Sequence, residues 1–227
     1  MASLKAPRFQ EIKTLYQQET RTVLPGEFPL ERMSNALVKE AFDRVIAAMA
    51  AVVFLPILAV IALLIRLDSP GPVLYIAIRR GRLGNVFTCY KFRTMYYGAA
   101  TDRTAMPGDA RITRVGRFLR RTSLDELPQL INVLRGEMSL IGPRPHRLDL
   151  DQKFERSNDS YAFRRFVKPG ITGWAQVNGY RGPAENMEAM QGRVRYDLEY
   201  IYNWSLMLDL KILFLTVFGR KVRQNAH

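Results

Sequence analysis

The chain has 227 residues, with 34 Lys and Arg against 21 Asp and Glu, a formal net charge of +13 and one cysteine, Cys89. This length suits one domain with a sizeable core, and a lone cysteine excludes an intrachain disulfide. The charge calls for an anionic partner: phospholipid, nucleic acid or a phosphorylated substrate.

Residues 1–37 are polar and mixed, with Pro7, Pro25 and Pro29, and read as a loose leader or surface-lying segment. From Val45 to Ile65 there follow 21 residues without a charge, long enough to cross a bilayer core of about 30 Å. No other segment approaches this length, which excludes a multi-span transporter. The run begins too late for an ordinary cleavable signal peptide. Its flanks are basic on both sides, Lys39 and Arg44 before it and Arg66, Arg79, Arg80 and Arg82 after it. Basic residues stay on the cytoplasmic side, so a straight span would expel one flank. A helix over 38–67, broken at Pro56 and re-entrant, keeps both. A straight span and a buried helix of a soluble domain remain open.

Asp68-Ser69-Pro70-Gly71-Pro72 reads as a turn. Val73–Ile78 and Val86–Phe92 read as strands of a hairpin closed by Gly81–Asn85. Lys91 and Arg93 lie two apart, on one face of such a strand. Residues 98–110 look like an open loop. Helical patterns follow near 111–121, 123–135 and 147–165. Arg111, Arg114, Arg117 and Arg120/Arg121 recur every three or four residues, a basic stripe on one helix face. A solvated charged face accounts for such a stripe, but anionic head groups or a substrate phosphate explain better why no acid interrupts it.

The block Thr122 to Leu130 holds the adjacent acids Asp125 and Glu126, and Gly136 to Pro145 follows it. From Arg111 to Arg147 eight arginines surround three acids. Arginines hold anionic oxygens, while a carboxylate binds a divalent cation or attacks, so the pattern suits chemistry on a phosphate. Ser123-x-x-Glu126 is equally a capping box, with Pro128 making the first turn irregular. His146 and His227 give no metal-ligand pattern. Trp204 to Phe218 is apolar and aromatic, interrupted by Asp209 and Lys211; it reads as an interfacial helix, with a core helix as the alternative.

Lys39 to Arg44, Lys91-Phe92-Arg93-Thr94-Met95, Ser123 to Gln129, Gly136 to Pro145, Pro169 to Gly173, Gln176 to Gly179 and Tyr196 to Ile201 together resemble the bacterial sugar transferases, the monotopic phosphoglycosyl transferases. The resemblance runs from about Lys39 to the C-terminus. It implies a mainly helical α+β fold with one proline-broken re-entrant membrane helix, interfacial amphipathic helices and a short β-hairpin. Residues 68–227 would be a cytoplasmic catalytic domain, in the family's small catalytic form. It further implies transfer of a sugar 1-phosphate from a UDP-sugar to undecaprenyl phosphate, releasing UMP, at the cytoplasmic face of the bacterial inner membrane with both termini cytoplasmic. Asp125 would be the nucleophile of an aspartyl phosphosugar intermediate, Mg²⁺ would be held by Asp125 and Glu126, and Arg144 would bind nucleotide phosphate.

Lys91, Arg93, Arg117, Arg121 and Asn178 are further candidate substrate contacts. The stretch Gly173 to Gly182 looks most like members transferring glucose 1-phosphate in exopolysaccharide synthesis, with galactose 1-phosphate and then an N-acetylated sugar behind it. A non-enzymatic, membrane-anchored basic module is the alternative class. Anionic membrane lipid is an expected partner, a homo-oligomer is open, and nucleic acid is not expected because no recognised motif for it occurs.

Overall fold

Ala, Leu, Ile and Val dominate residues 45–65 and no glycine interrupts them, so the backbone has little reason to leave the helix. The computed structural model describes residues 29–31, 33–100, 105–106, 108–182 and 187–219. The apolar run lies in one long helix, α1, Met33–Asp68. It begins ahead of residue 38; most of the expected leader lies outside the described residues. Pro56 sits inside the helix rather than ending it, since a missing N–H forfeits one bond while the turns on either side keep theirs.

The burial of α1 changes along its length. Lys39, Asp43 and Ala47, spaced by four, are buried against the main core, and Ile61 and Ile65 are buried in a second cluster with Phe92 and Leu119. No residue from Ala48 to Val60 is buried, and Val52, Val53 and Leu55 are 74%, 69% and 64% exposed. An apolar surface of this kind belongs in lipid, which overturns the buried soluble helix.

Both ends of α1 return to one body. Near the start, Lys39 Nζ pairs with Asp209 Oδ2 at 3.0 Å, and Ser139 Oγ donates to Asp43 Oδ2 at 2.7 Å. At the far end Arg93 donates to Ser69 O at 2.6 Å, Pro70 O at 2.7 Å and Ile65 O at 3.4 Å, gathering carbonyls at and just past the C-terminus of α1. A straight span would hold Lys39 and Ser69 roughly 45 Å apart on opposite sides of the bilayer.

Strands β1, Leu74–Arg80, and β2, Val86–Phe92, pair antiparallel in the register Tyr75↔Lys91, Ala77↔Cys89 and Arg79↔Phe87. The turn is a short 3-10 segment, Arg82–Gly84, with Gly84 at φ 82, a backbone that glycine takes without strain. Helix α2 runs Arg114–Thr122; Thr113 caps it by accepting from Gly116 N at 2.9 Å.

The acidic block forms a 3-10 segment, Leu124–Gln129, followed by the short helix α3, Leu130–Leu134. The expected irregular first turn is thus present, but the capping box is not. Ser123 lies at φ 63 as the C-cap of α2, and its hydroxyl makes no cap bond. Arg181 donates to it instead.

Strands β3, Ser139–Ile141, and β4, Gly170–Thr172, pair in parallel. Three residues each are too few to carry an alternation pattern. Gly142 permits the pairing, because a Cβ there would lie 2.5 Å from Lys168 O. Helix α4, Leu148–Ser157, stops at Asn158, and a 3-10 segment Asp159–Phe166 replaces the continuous helix expected to 165.

The short α5, Trp174–Val177, precedes α6, Met187–Tyr202, and α7, Leu206–Phe218. In α7 Asp209 and Ile212 are fully buried, whereas Met207, Leu210, Phe214, Val217 and Phe218 are exposed. One face therefore joins the core and the other presents apolar side chains, as an interfacial helix does. Asp209, which seemed to interrupt an apolar run, is an internal anchor: Tyr200 Oη donates to it at 2.8 Å and Trp204 Nε1 at 3.0 Å.

Candidate active site

The inner face of the β-hairpin, the 3-10 segment and the loop after β3 enclose a cavity of about 850 Å³. Lys91, Arg79, Arg120, Arg144, Arg181 and Arg193 line it, and the two acids of the block open onto it. The 3-10 segment packs on β2, which carries Lys91 across to Glu126. The β3–β4 pair ends beside Pro143-Arg144-Pro145 and brings Arg144 to the same carboxylate.

Glu126 is buried and fully engaged. Lys91 Nζ donates to Oε1 at 2.6 Å; Arg144 Nη2 donates to Oε1 at 2.5 Å and Nη1 to Oε2 at 3.0 Å. Burial works to raise the Glu126 carboxyl, but the charges and hydrogen bonds of Arg144 and Lys91 outweigh it and hold the group well below the ordinary carboxylate range. Glu126 is therefore a fixed anion at neutral pH.

Asp125 is its opposite. It is half-buried on the cavity wall, and among the described residues no donor bonds its carboxylate. Desolvation first, and the charge of Glu126 second, push its carboxyl up from an ordinary 3.8 to about 6. It is ionised at pH 7 yet poorly solvated and unpaired, the condition in which a carboxylate is most nucleophilic.

Arg144 is held from behind. Arg164 Nη2 donates to the Arg144 carbonyl at 2.8 Å, and Arg164 Nε to Asp197 Oδ2 at 2.7 Å, with both partners of that ion pair buried. His146, next to the Pro-Arg-Pro loop, is buried; desolvation and then Arg164 and Arg193 keep it neutral. Arg193 Nη1 lies 2.8 Å from His146 Nε2, and Tyr161 Oη and Arg164 Nη1 lie 2.6 Å and 3.2 Å from Nδ1. Tyr161 Oη donates in turn to Asp151 Oδ1 at 2.5 Å. Arg193 Nε also donates to Tyr180 O at 3.0 Å, holding the loop that presents Arg181.

Asp125, Glu126, Lys91 and Arg144 thus meet at one place. Arg93 is on the cavity wall, but its guanidinium is spent on the end of α1. Arg117 and Arg121 are exposed on α2 away from the cavity lining, and Asn178 Nδ2 donates to Trp174 O at 2.8 Å. The inward residue of the basic stripe is Arg120, whose Nε donates to Thr94 Oγ1 at 2.9 Å. Arg117 and Arg121 are the members of the stripe expected at the substrate; packing of α2 on Thr94 turns Arg120 to the cavity instead. In the sequence Arg79 marks only a membrane flank, and Arg181 carries no local signal beyond its place after Gly179-Tyr180.

The donor set suits a magnesium ion shared with a substrate. Asp125 offers unengaged carboxylate oxygens, whereas Glu126 would have to release Lys91 or Arg144 to join. Among the described residues no group of three His, Cys, Asp or Glu gathers to hold a metal. A magnesium ion here would take its remaining ligands from phosphate and water, as that ion commonly does.

Fold and site define a monotopic membrane protein with a carboxylate dyad in a cationic cavity. Residues 34–222 match the bacterial sugar transferase family, and the chain belongs to that family. It is 47% identical over 196 residues to the UDP-glucose:undecaprenyl-phosphate glucose-1-phosphate transferase of Escherichia coli K12, covering 85% of this chain and 42% of that protein. To the Caulobacter vibrioides protein of the same name it is 46% identical, covering 91% of this chain and 78% of that one. To the UDP-N-acetylgalactosamine-undecaprenyl-phosphate N-acetylgalactosaminephosphotransferase of Aeromonas hydrophila it is 39% identical, covering 91% of this chain and 48% of that one.

Proposed function

We propose that the protein transfers a sugar 1-phosphate, glucose 1-phosphate by preference, from a UDP-sugar to undecaprenyl phosphate, releasing UMP as the opening step of exopolysaccharide or other glycan synthesis. The carrying observation is the split dyad: Glu126 pinned by Lys91 and Arg144, Asp125 unpaired and facing a cationic cavity.

In the first step an Asp125 carboxylate oxygen attacks the phosphorus that bears the sugar. The bond to the oxygen bridging the two phosphorus atoms breaks, and UMP leaves with the electron pair. In the second step an oxygen of the lipid phosphate attacks the same phosphorus. The acyl phosphate bond breaks, Asp125 returns as a carboxylate and the lipid diphosphate sugar departs. Direct attack of the lipid phosphate on the nucleotide diphosphate is thereby replaced by two attacks with different partners, so nucleotide and lipid need not share the cavity. Arg120, Arg144 and Arg181 hold phosphate oxygens, and Glu126 fixes the geometry of Lys91 and Arg144. A magnesium ion held by Asp125 and the diphosphate, with Glu126 beside it, would neutralise charge on the phosphates.

The two ends of α1 bonded to one body, together with basic flanks on both sides, support a re-entrant helix with the site on the cytoplasmic face of the inner membrane. The relatives named for glucose 1-phosphate transfer are the more similar, at 47% and 46% against 39%, which favours UDP-glucose. UDP-galactose and N-acetylated sugars are the competitors. UMP release, measured with each UDP-sugar in the presence of undecaprenyl phosphate and Mg²⁺, tests both levels. Fastest turnover with another sugar would overturn the glucose assignment, and no UMP from any donor would leave a basic membrane-bound binding module.

A further inference from the structure

A 3-10 helix turns once every three residues, so Glu126 and Gln129 share a face of the segment Leu124–Gln129. Both line the cavity. Gln129 is 1% exposed, and its Nε2 has no hydrogen-bond partner among the described residues. Native interiors rarely leave such a donor unmet, because the amide forgoes water without compensation.

The next buried amide in the chain shows the contrast. Asn132 accepts from Tyr90 N at 3.1 Å and donates to Thr88 O and to Glu137 Oε2, each at 2.6 Å. That side chain stitches α3 to β2 and has no donor to spare. Gln176, also with an unmatched atom, still donates to Ile171 O at 3.1 Å and lies outside the cavity lining. Arg93 lacks a partner only at Nε, while its other nitrogens secure α1. Gln129 combines burial, an unmet donor and a place beside the dyad.

We propose that Gln129 is a substrate contact whose Nε2 donates to a non-bridging oxygen of the phosphoryl group being transferred. The assignment deepens the phosphosugar-transfer reading and rests on it. Phosphorus must approach Asp125, and its non-bridging oxygens then pass close to the face carrying Glu126 and Gln129. Lys91 and Arg144 already spend charge on Glu126. A neutral amide binds the phosphoryl oxygens without forming an ion pair with the attacking carboxylate. Charge on those oxygens persists through the transition state, so the bond lasts through both attacks.

The full-length protein in nanodiscs, mixed with UDP-glucose and Mg²⁺ but no lipid acceptor, isolates the first step as a single release of UMP with an adduct on Asp125. Gln129→Met keeps the volume and removes the amide; Gln129→Glu keeps the shape and sets an anion against the phosphate. Gln129→Met should slow adduct formation on the order of 100-fold and Gln129→Glu more, with melting temperature and UMP affinity near those of the wild type. Adduct formation by Gln129→Met at the wild-type rate overturns the assignment. So does a joint loss of thermal stability and UMP affinity, which would make Gln129 a packing residue. No adduct in the wild type from UDP-glucose, UDP-galactose or an N-acetylated UDP-sugar removes the transferase reading and this contact together; a normal wild type with a normal Gln129→Met removes the contact alone.

Discussion

Arg144 grips Glu126 with two hydrogen bonds, 2.5 Å from Nη2 to Oε1 and 3.0 Å from Nη1 to Oε2. Among the described residues the adjacent Asp125 receives none, and the two carboxyls are driven apart: Glu126 well below the ordinary range, Asp125 up to about 6. Two titratable groups separated by environment mark two roles. Glu126 anchors the cations, and in the proposed mechanism Asp125 is the carboxylate left for the substrate.

Asp125→Asn separates catalysis from stability. Turnover should fall by orders of magnitude, since the amide cannot form the acyl phosphate. The same change should stabilise the fold at neutral pH. The raised pKa means that the native state binds the extra proton between about pH 4 and 6, so native stability falls as pH rises through that window. From an ordinary 3.8 to about 6, at ~1.4 kcal/mol per pH unit, the strain reaches about 3 kcal/mol. Melting curves should show Asp125→Asn ahead of the wild type above pH 6, with the gain gone below pH 4. A destabilised Asp125→Asn would make Asp125 a structural residue.

The pH profile of the first step follows the same carboxyl. Adduct formation should be half-maximal near pH 6 and decline below it as Asp125 takes up a proton. Glu126→Gln should cut the rate severely, because Lys91 and Arg144 lose their counter-charge. In what remains, the acid limb should move to lower pH, since one of the charges raising Asp125 is gone. A limb fixed near pH 6 in Glu126→Gln would mean that another group sets it.

The Lys39–Asp209 pair, 9% and 0% exposed, ties the first turns of α1 to α7. Removing one partner leaves the other charge buried, which typically costs about 3–5 kcal/mol. Lys39→Met should lower the melting temperature in nanodiscs by several degrees or more, and Lys39→Met with Asp209→Asn should recover part of the loss. Additive losses in the double variant would deny the coupling.

Topology is open to cysteine labelling in a Cys89→Ser background. Ser34 and Arg66 are exposed near opposite ends of α1. With a re-entrant helix, neither Ser34→Cys nor Arg66→Cys should react with an impermeant maleimide in intact cells, and both should react once the inner membrane is permeabilised. Labelling of Arg66→Cys from the periplasm would establish a straight span.

The local devices were legible in the sequence because each is written in a short stretch of chain. Composition and length marked α1; alternation and turn residues marked the β1–β2 hairpin to within a residue or two; the Asp125-Glu126 pair and Pro143-Arg144-Pro145 stood out by residue type. What required the fold depends on groups distant in sequence. Glu126 and Arg144 are 18 residues apart and meet because β3 pairs with β4, a three-residue ladder below any periodic signal. Ser123-x-x-Glu126 matched a capping box, but Arg181, 58 residues on, takes the hydroxyl and Lys91 and Arg144 take the carboxylate. Helical spacing placed a basic stripe and pointed to Arg117 and Arg121, whereas the fold turns Arg120 to the cavity, since which face turns inward is set by what it packs against. The residue types of the dyad are local, but its division of labour is not. Burial and opposite charge decide which carboxyl holds its proton, and both are properties of the folded surroundings.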